Sequence, residues 1–285
     1  MLLVVYNTSA GKGNVKKMIK RLGNSLVNQG TPCTFIDINR FTKDTAGELM
    51  QHGTVKRVII CGGDGTVNRV VNMLSGFLNT IEIGIIPYGY GNLFAKSVPS
   101  STSIDRFVSE KKACPFSEVK IGKANNQYFL NVASVGIIAD TVDQVEQFRN
   151  VSFGSFFYRV FGGFITHVML FCVTKIKTLF SRRGKDQPDS ITWLRSTNGS
   201  PENSFTVLFD LRSALAEYNS LFMPRLKLIP WGKKEQAHPA GDYHIKHEDP
   251  FTWQVDGVPK EKTTSLKVDI NSQTVKIVTI DQELF

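Results

Sequence analysis

Cys61-Gly62-Gly63-Asp64-Gly65-Thr66-Val67-Asn68 decides how the rest of the chain is read. An apolar β-like run, Arg57-Val58-Ile59-Ile60, leads into it, and Arg69-Val70-Val71-Asn72-Met73-Leu74 leaves it with a helical pattern. Three glycines around one aspartate let the backbone approach a bulky ligand where any Cβ would block it. A helix start behind them leaves N–H groups without intrahelical partners, which favours an anion such as phosphate. An acidic side chain in the same turn points to a cation held against that phosphate. The same residues also fit a tight strand-to-helix turn that binds nothing.

Working outward, strands and helices alternate through the first third. Leu2 to Tyr6 reads as a strand, and Asn14 is placed to cap a helix to about Asn28 with Val15, Met18, Ile19, Leu22 and Leu26 on one face. Thr34 to Ile38 reads as a strand and Thr45 to His52 as a helix. A third strand covers Arg57 to Cys61, a helix covers Val67 to Leu78, and a fourth strand covers Ile81 to Ile86. Such alternation predicts a largely parallel, doubly wound α/β sheet, whose ligands bind beyond the carboxyl ends of the strands. Three glycine-bearing turns occupy that edge: Asn7-Thr8-Ser9-Ala10-Gly11-Lys12-Gly13, Gly62 to Asn68, and Tyr88-Gly89-Tyr90-Gly91-Asn92.

From about Phe116 short strand-like runs with polar turns dominate, which predicts a β-rich, sandwich-like second domain. The expected division is 1–115 for the nucleotide domain and 116–285 for the β-rich domain, with the C-terminal segment a candidate to pack back on the first. A helical insertion at about 140–180 places Phe153, Phe157, Phe161, Phe164, Val168 and Phe171 near helical spacing. That stripe fits a core helix; it also fits an apolar wall for an acyl chain, with Arg159, Lys175, Lys177, Arg182 and Arg183 toward anionic head groups.

A chain of 285 residues is long enough for two cores, and its net charge of +9 fits an anionic partner. Nothing resembles a basic tail, a helix-turn-helix or an RNA-stacking motif, so nucleic acid is not expected. The four cysteines form no CxxC pair, which argues against a zinc site or disulfide framework. His244 and His247, three apart on a strand, fall on opposite faces and do not suggest a shared metal. The N-terminus lacks the basic start and long apolar core of a signal peptide. The uncharged part of the 155–180 segment is too short for a bilayer core of roughly 30 Å. The expectation is a cytoplasmic protein that associates peripherally with membranes; an exposed sheet edge would allow subunits to pair.

The order Asn7-Thr8-Ser9-Ala10-Gly11, Gly62-Gly63-Asp64-Gly65-Thr66-Val67-Asn68 and Ile86-Pro87-Tyr88-Gly89-Tyr90-Gly91-Asn92-Leu93-Phe94-Ala95 resembles the diacylglycerol kinase catalytic-domain family, which includes sphingosine kinases and bacterial lipid kinases. Fainter echoes are Asn131-Val132-Ala133-Ser134-Val135-Gly136 and Val255-Asp256-Gly257. The resemblance implies an NAD-kinase-like nucleotide domain, a β-rich lipid domain and an active cleft between them. It implies ATP and Mg²⁺ as cofactors and transfer of the γ-phosphoryl group to a lipid hydroxyl, a reaction that rests on positioning and charge neutralisation. By the same resemblance, Gly62, Gly63, Gly65, Thr66 and Val67 cradle phosphates. Asn7, Thr8, Ser9, Gly11 and Lys12 hold the nucleotide from the first turn, and Gly89, Tyr90 and Asn92 from the third. Asp64 meets the magnesium ion. Asn68 is a further nucleotide-site residue by the resemblance; Lys12 fits a solvated surface charge equally well, and Asn68 and Asn92 fit equally well as residues that only satisfy their own turns.

Three departures stand out. Tyr90 replaces the threonine that the family often carries, adding a ring on the nucleotide side. Val258 stands where bacterial lipid kinases have a glutamate proposed as general base, and a valine accepts no proton. Asp256, two residues earlier, and Asp64 are the candidates for that role, with Glu261 weaker. A metal-binding aspartate loop in the second domain has no clear counterpart; Asp210 and Asp242 are candidates by composition, and Thr42 and Thr45 are both candidates for an adenine-side threonine. The leading expectation is an ATP-dependent lipid kinase. The alternatives are a family member that binds nucleotide or lipid with impaired catalysis, and a kinase of a soluble metabolite.

Overall fold

The computed structural model describes residues 1–10, 15–51, 53–89, 91–109, 112–149, 192–195, 205–208 and 242–281. The chain forms two compact units, Met1–Gly122 with Asn271–Phe285, and Lys123–Ile270.

Unit 1 is the doubly wound α/β sheet expected from the alternation. Its elements are β1 (Leu2–Tyr6), α1 (Val15–Asn28), β2 (Cys33–Asp37), α2 (Lys43–Gln51), β3 (Arg57–Gly62), α3 (Asp64–Met73), β4 (Glu82–Pro87), α4 (Leu93–Ser97), β5 (Ser101–Thr102) and α5 (Ile104–Val108). Strands β1 to β4 run in the order β2-β1-β3-β4, all parallel. The chain steps from β1 to β2 on one side and to β3 on the other, so the order reverses between β1 and β3. Crevices at such reversals are where open α/β sheets bind ligands. Val58, Ile59, Ile60 and Cys61 have no exposed surface, as a central parallel strand covered on both faces requires. Helix α1 buries Val15, Met18, Leu22 and Leu26, one stripe of its surface, against Leu2, Val4 and Ile59.

The last strand, β12 (Val258–Ile280), contributes Lys276 to Thr279 to this sheet, parallel to β4. Val278 and Ile280 thereby join the core of unit 1.

Unit 2 is strand-rich. After β6 (Ser117–Ala124) come β7 (Gln127–Phe129), β8 (Val132–Val135), α6 (Ile137–Arg149), β9 (Thr192–Arg195), β10 (Phe205–Leu208) and β11 (Asp242–Val255). The described strands pair antiparallel in the order β10-β9-β8-β11-β12. Phe251, Trp253 and Val255 on β11 and Leu266, Val268 and Ile270 on β12 alternate into one core with Ala133 and Val135. Helix α6 packs on β8 and β11. Of the helical insertion, only the part within α6 is described; Phe153 to Phe171, the basic residues beyond it, and Asp210 lie outside the described residues.

One boundary differs from the sequence reading in a way that matters for the site. Helix α3 begins at Asp64 and not at Val67, and it ends at Met73 instead of Leu78. Gly63, extended at φ −93° and ψ −175°, is its N-cap and offers no side-chain bond to the helix. Its carbonyl accepts from Thr66 and Val67 N–H at 2.9 and 3.1 Å. The glycine-rich turn is therefore the first turn of the helix itself.

Candidate phosphate-binding site

The turns after β1, β3 and β4 are tied together by hydrogen bonds. Asn7 N–H donates to Cys61 O at 3.1 Å, and the Asn7 side-chain amide donates to Thr66 Oγ1 at 3.0 Å. Asn7 Oδ1 accepts Ser9 N–H at 2.9 Å, which bends the first turn back on itself. Tyr88 N–H donates to Gly62 O at 2.9 Å and joins the third turn to the second. Gly11, Lys12 and Tyr90 lie outside the described residues.

The glycines divide into two kinds. A Cβ on Gly62 would meet the Thr66 side chain at 2.6 Å, and one on Gly89 would meet Gly63 Cα at 2.5 Å. Gly62 is required by the fold of its own turn, and Gly89 by the packing of the third turn on the second. A Cβ on Gly65 would meet nothing within 4 Å. Thr66 and Val67 N–H are already bonded, so Asp64 and Gly65 supply the amides that open the helix without an intrahelical partner. A phosphate fits that donor set and the open space above Gly65.

Asp64 has a structural task that its sequence does not announce. Its Oδ2 accepts Leu93 N–H at 3.0 Å and its Oδ1 accepts Phe94 N–H at 2.8 Å. One carboxylate thus caps the start of α4, a helix too short to hold itself. About two of the four lone-pair sites of the carboxylate remain. Among the described residues no three His, Cys, Asp or Glu side chains gather into a metal site. The Asp64 carboxylate fits Mg²⁺ carried on nucleotide phosphates, since that ion commonly takes one or two carboxylates together with phosphate oxygens.

Asn92, at φ 49°, accepts Gly89 N–H through Oδ1 at 2.8 Å and donates through Nδ2 to Gly89 O at 2.9 Å, closing the third turn. Asn68 is buried, and its backbone and side-chain oxygens both accept from the Asn72 amide. Val67 is core. The Cys61 thiol, also fully buried, is pushed far up from its ordinary pKa by burial and is inert as a nucleophile. Thr42 and Thr45 bond each other reciprocally at the start of α2, Thr42 N–H to Thr45 Oγ1 at 2.8 Å and Thr45 N–H to Thr42 Oγ1 at 3.2 Å, which is a helix-capping arrangement. The sequence reading passed over Asp37, which accepts Thr8 Oγ1–H at 3.0 Å. The signal available was an acidic residue at the carboxyl end of β2.

Asp256 belongs to unit 2. It stands at φ 47° beside Gly257 at φ 80°, and the two form the turn between Val255 and Val258. Asp-Gly with both φ positive is the signature of a tight hairpin turn. Its carboxylate accepts three backbone N–H groups, from Leu130 at 2.7 Å, Asn131 at 2.7 Å and Val132 at 2.9 Å. Val258 follows with 44 % of its surface exposed. Nearby, burial lowers the Lys260 ammonium from its ordinary pKa, and the Asp256 charge works in the opposite direction.

A cavity of about 780 Å³ opens at the other end of the unit 1 strands, lined by Met1, Thr31, Lys56, Phe77, Glu82 and Lys276. It lies at the amino ends and takes no part in the glycine turns.

Residues 1–124 match the family model of the diacylglycerol kinase catalytic domain. A Streptococcus pneumoniae serotype 4 protein provisionally named a lipid kinase is 35% identical over 125 residues, covering 44% of this chain and 41% of that one. A protein of Staphylococcus carnosus named diacylglycerol kinase is 27% identical over 165 residues, covering 56% and 52%. The chain thus spans about half the length of the curated relatives it matches. A crystal structure of a diacylglycerol kinase from Bacillus anthracis strain Sterne shares the fold, with a TM-score of 0.57 over 100% of this chain and 98% of the other, at 15% identity. Residues 1–124 are thus similar to the diacylglycerol kinase catalytic domain, the family that the three turns resemble.

Proposed function

We propose that the chain acts as an ATP-dependent lipid kinase, moving the γ-phosphoryl group to a lipid hydroxyl of diacylglycerol or sphingoid type. The observation that carries this reading is the Asn7–Thr66 bond, which draws the turn after β1 onto the open amide end of α3 at the reversal of the sheet. The family matched over residues 1–124 and the names of the relatives support the reaction class.

The Asp64 and Gly65 amides receive phosphate oxygens, with Asn7, Ser9 and Lys12 closing from the first turn. Asp64 fixes α4 through its carboxylate, whose remaining acceptor sites would hold a phosphate-borne Mg²⁺ directly or through water. Held there, such an ion would supply neutralisation of the charge on the transferred group. Transfer then depends on alignment, which the coupled turns provide. The net charge of +9 supports attraction to anionic lipid head groups and peripheral attachment at the cytoplasmic face. Among the described residues no helix is long and apolar enough to cross a membrane.

Transfer of labelled phosphate from ATP to diacylglycerol, a sphingoid base, ceramide or a polyprenol in mixed micelles tests the proposal. Label in one of these lipids is expected, and none in any lipid despite ATP binding defeats it. A second reading has its own support. Val258 cannot accept a proton, and the Asp256 carboxylate is occupied by three amides. A protein that binds MgATP without transferring phosphate follows from that pair, and calorimetric ATP binding with no labelled product would favour it.

A further inference from the structure

We infer that Asp37 reads a ribose hydroxyl of the bound nucleotide, through its carboxylate at the carboxyl end of β2 beside the first phosphate turn. This rests on the nucleotide reading above and goes beyond it by naming the group that selects a ribonucleotide.

Asp37 pairs in register with Tyr6, the last residue of β1, so it stands beside the point where the first turn begins. Strand β2 flanks β1 on the side away from β3. With phosphates on the amides behind β3 and in the turn behind β1, the remainder of a nucleotide has the end of β2 as its next support. An acidic side chain at that place in a doubly wound sheet suits the ribose, because a carboxylate only accepts and a sugar hydroxyl can donate.

The local bonds hold this carboxylate toward the turn. Its Oδ2 accepts Thr8 Oγ1–H at 3.0 Å, and its Oδ1 accepts Asn39 N–H and the Asn39 side-chain amide, each at 2.9 Å. Burial works to raise its pKa, but the bonds from Asn39 and Thr8 outweigh it and hold the group below the ordinary aspartate value. It is therefore ionised at neutral pH. Asp37 is only half-buried and Asn39 is exposed, so an incoming hydroxyl can displace the Asn39 side-chain amide from the carboxylate.

Calorimetric titration of the full chain with the Mg²⁺ complexes of ATP, 2′-deoxy-ATP and 3′-deoxy-ATP tests this. The wild type is expected to bind one deoxy analogue about tenfold more weakly than ATP, the effect of losing one hydrogen bond to a charged group. Asp37→Asn and Asp37→Ala are expected to bind ATP as weakly as that analogue and to discriminate no longer. Thr8→Val, which removes the brace and leaves the carboxylate, is expected to keep the discrimination even where all three bind more weakly. If the Asp37 variants lose affinity for all three nucleotides equally, Asp37 only braces Thr8 and the inference fails while the nucleotide reading stands. If the wild type binds none of the three, the nucleotide reading falls, and this inference with it. Circular dichroism on each variant confirms that a loss of binding is not a loss of fold.

Discussion

The Asp64 carboxylate and the Phe94 amide meet at 2.8 Å across 30 positions of sequence. With the parallel bond to Leu93, this contact makes Asp64 the cap of a helix in another turn as well as the acidic group of its own. Removing it should therefore damage fold and function together. Asp64→Ala is expected to lower unfolding free energy by about 1–2 kcal/mol, as loss of an N-cap does. Asp64→Asn, which keeps one acceptor, should lose about half of that and still abolish phosphoryl transfer. Urea denaturation beside a transfer assay separates the two. An Asp64→Asn protein with full activity would leave Asp64 as a cap and nothing more.

Gly62 and Gly65 are three apart and should answer an added methyl in opposite ways. At Gly62 the methyl collides with Thr66, so Gly62→Ala is expected to destabilise by about 1–3 kcal/mol. At Gly65 the position is helical and open, so alanine should stabilise by up to about 1 kcal/mol. The same methyl projects where a phosphate would lie. Gly65→Ala should melt higher and bind ATP more weakly, and a melting curve with an ATP titration checks both. Unchanged ATP affinity would mean that no phosphate approaches this amide.

The contrast between those glycines shows where sequence was informative and where it stopped. Continuous apolar runs such as Val58–Cys61 and the stripe on α1 announce buried strands and an amphipathic helix through periodicity alone, and the three turns follow at the strand ends. The start of α3 was hidden because Gly63, Asp64 and Gly65 are weak helix formers and no capping side chain marks the boundary. Nor could spacing tell that Gly62 serves Thr66 while Gly65 faces open space. In sequence Asp256 is a candidate base because it lies in the Val255-Asp256-Gly257 echo, two residues before Val258. Its three amide partners lie more than a hundred positions earlier, and such contacts leave no local pattern. Thr42 and Thr45 are candidates for an adenine-side threonine through the family resemblance, and their spacing is also that of a capping pair.

Val258 offers a gain-of-function test. Its side chain is 44 % exposed at the first position after a tight turn, so glutamate should fold there at a cost within about 0.5 kcal/mol. If the chain lacks only a proton acceptor, Val258→Glu should raise turnover of labelled lipid at least tenfold over wild type, with ATP affinity unchanged. A general base contributes factors of about 10² or more where geometry allows. No gain at any pH between 6 and 9 would show that the missing carboxylate is not what limits the reaction.

Lys260 yields the pH prediction. Burial is the larger influence on its ammonium and lowers its pKa below the ordinary lysine value of 10.5, while Asp256 partly offsets the shift. Between the lowered folded value and 10.5 the unfolded chain binds more protons than the folded one, so this group makes stability rise with pH across that window. Below the window it subtracts a constant amount, because the folded state must carry a partly desolvated charge. Lys260→Met keeps the length of the side chain and removes the charge. It is expected to melt higher than wild type at pH 7, with the gap closing as the pH climbs toward 10.5. Asp256→Asn should act in the other direction, removing a charge that favours the ammonium and widening the pH window over which the wild-type lysine costs stability. Thermal melts of the three proteins between pH 6 and 10 decide the matter; a gap between wild type and Lys260→Met that stays constant over that range would show that the lysine does not titrate there.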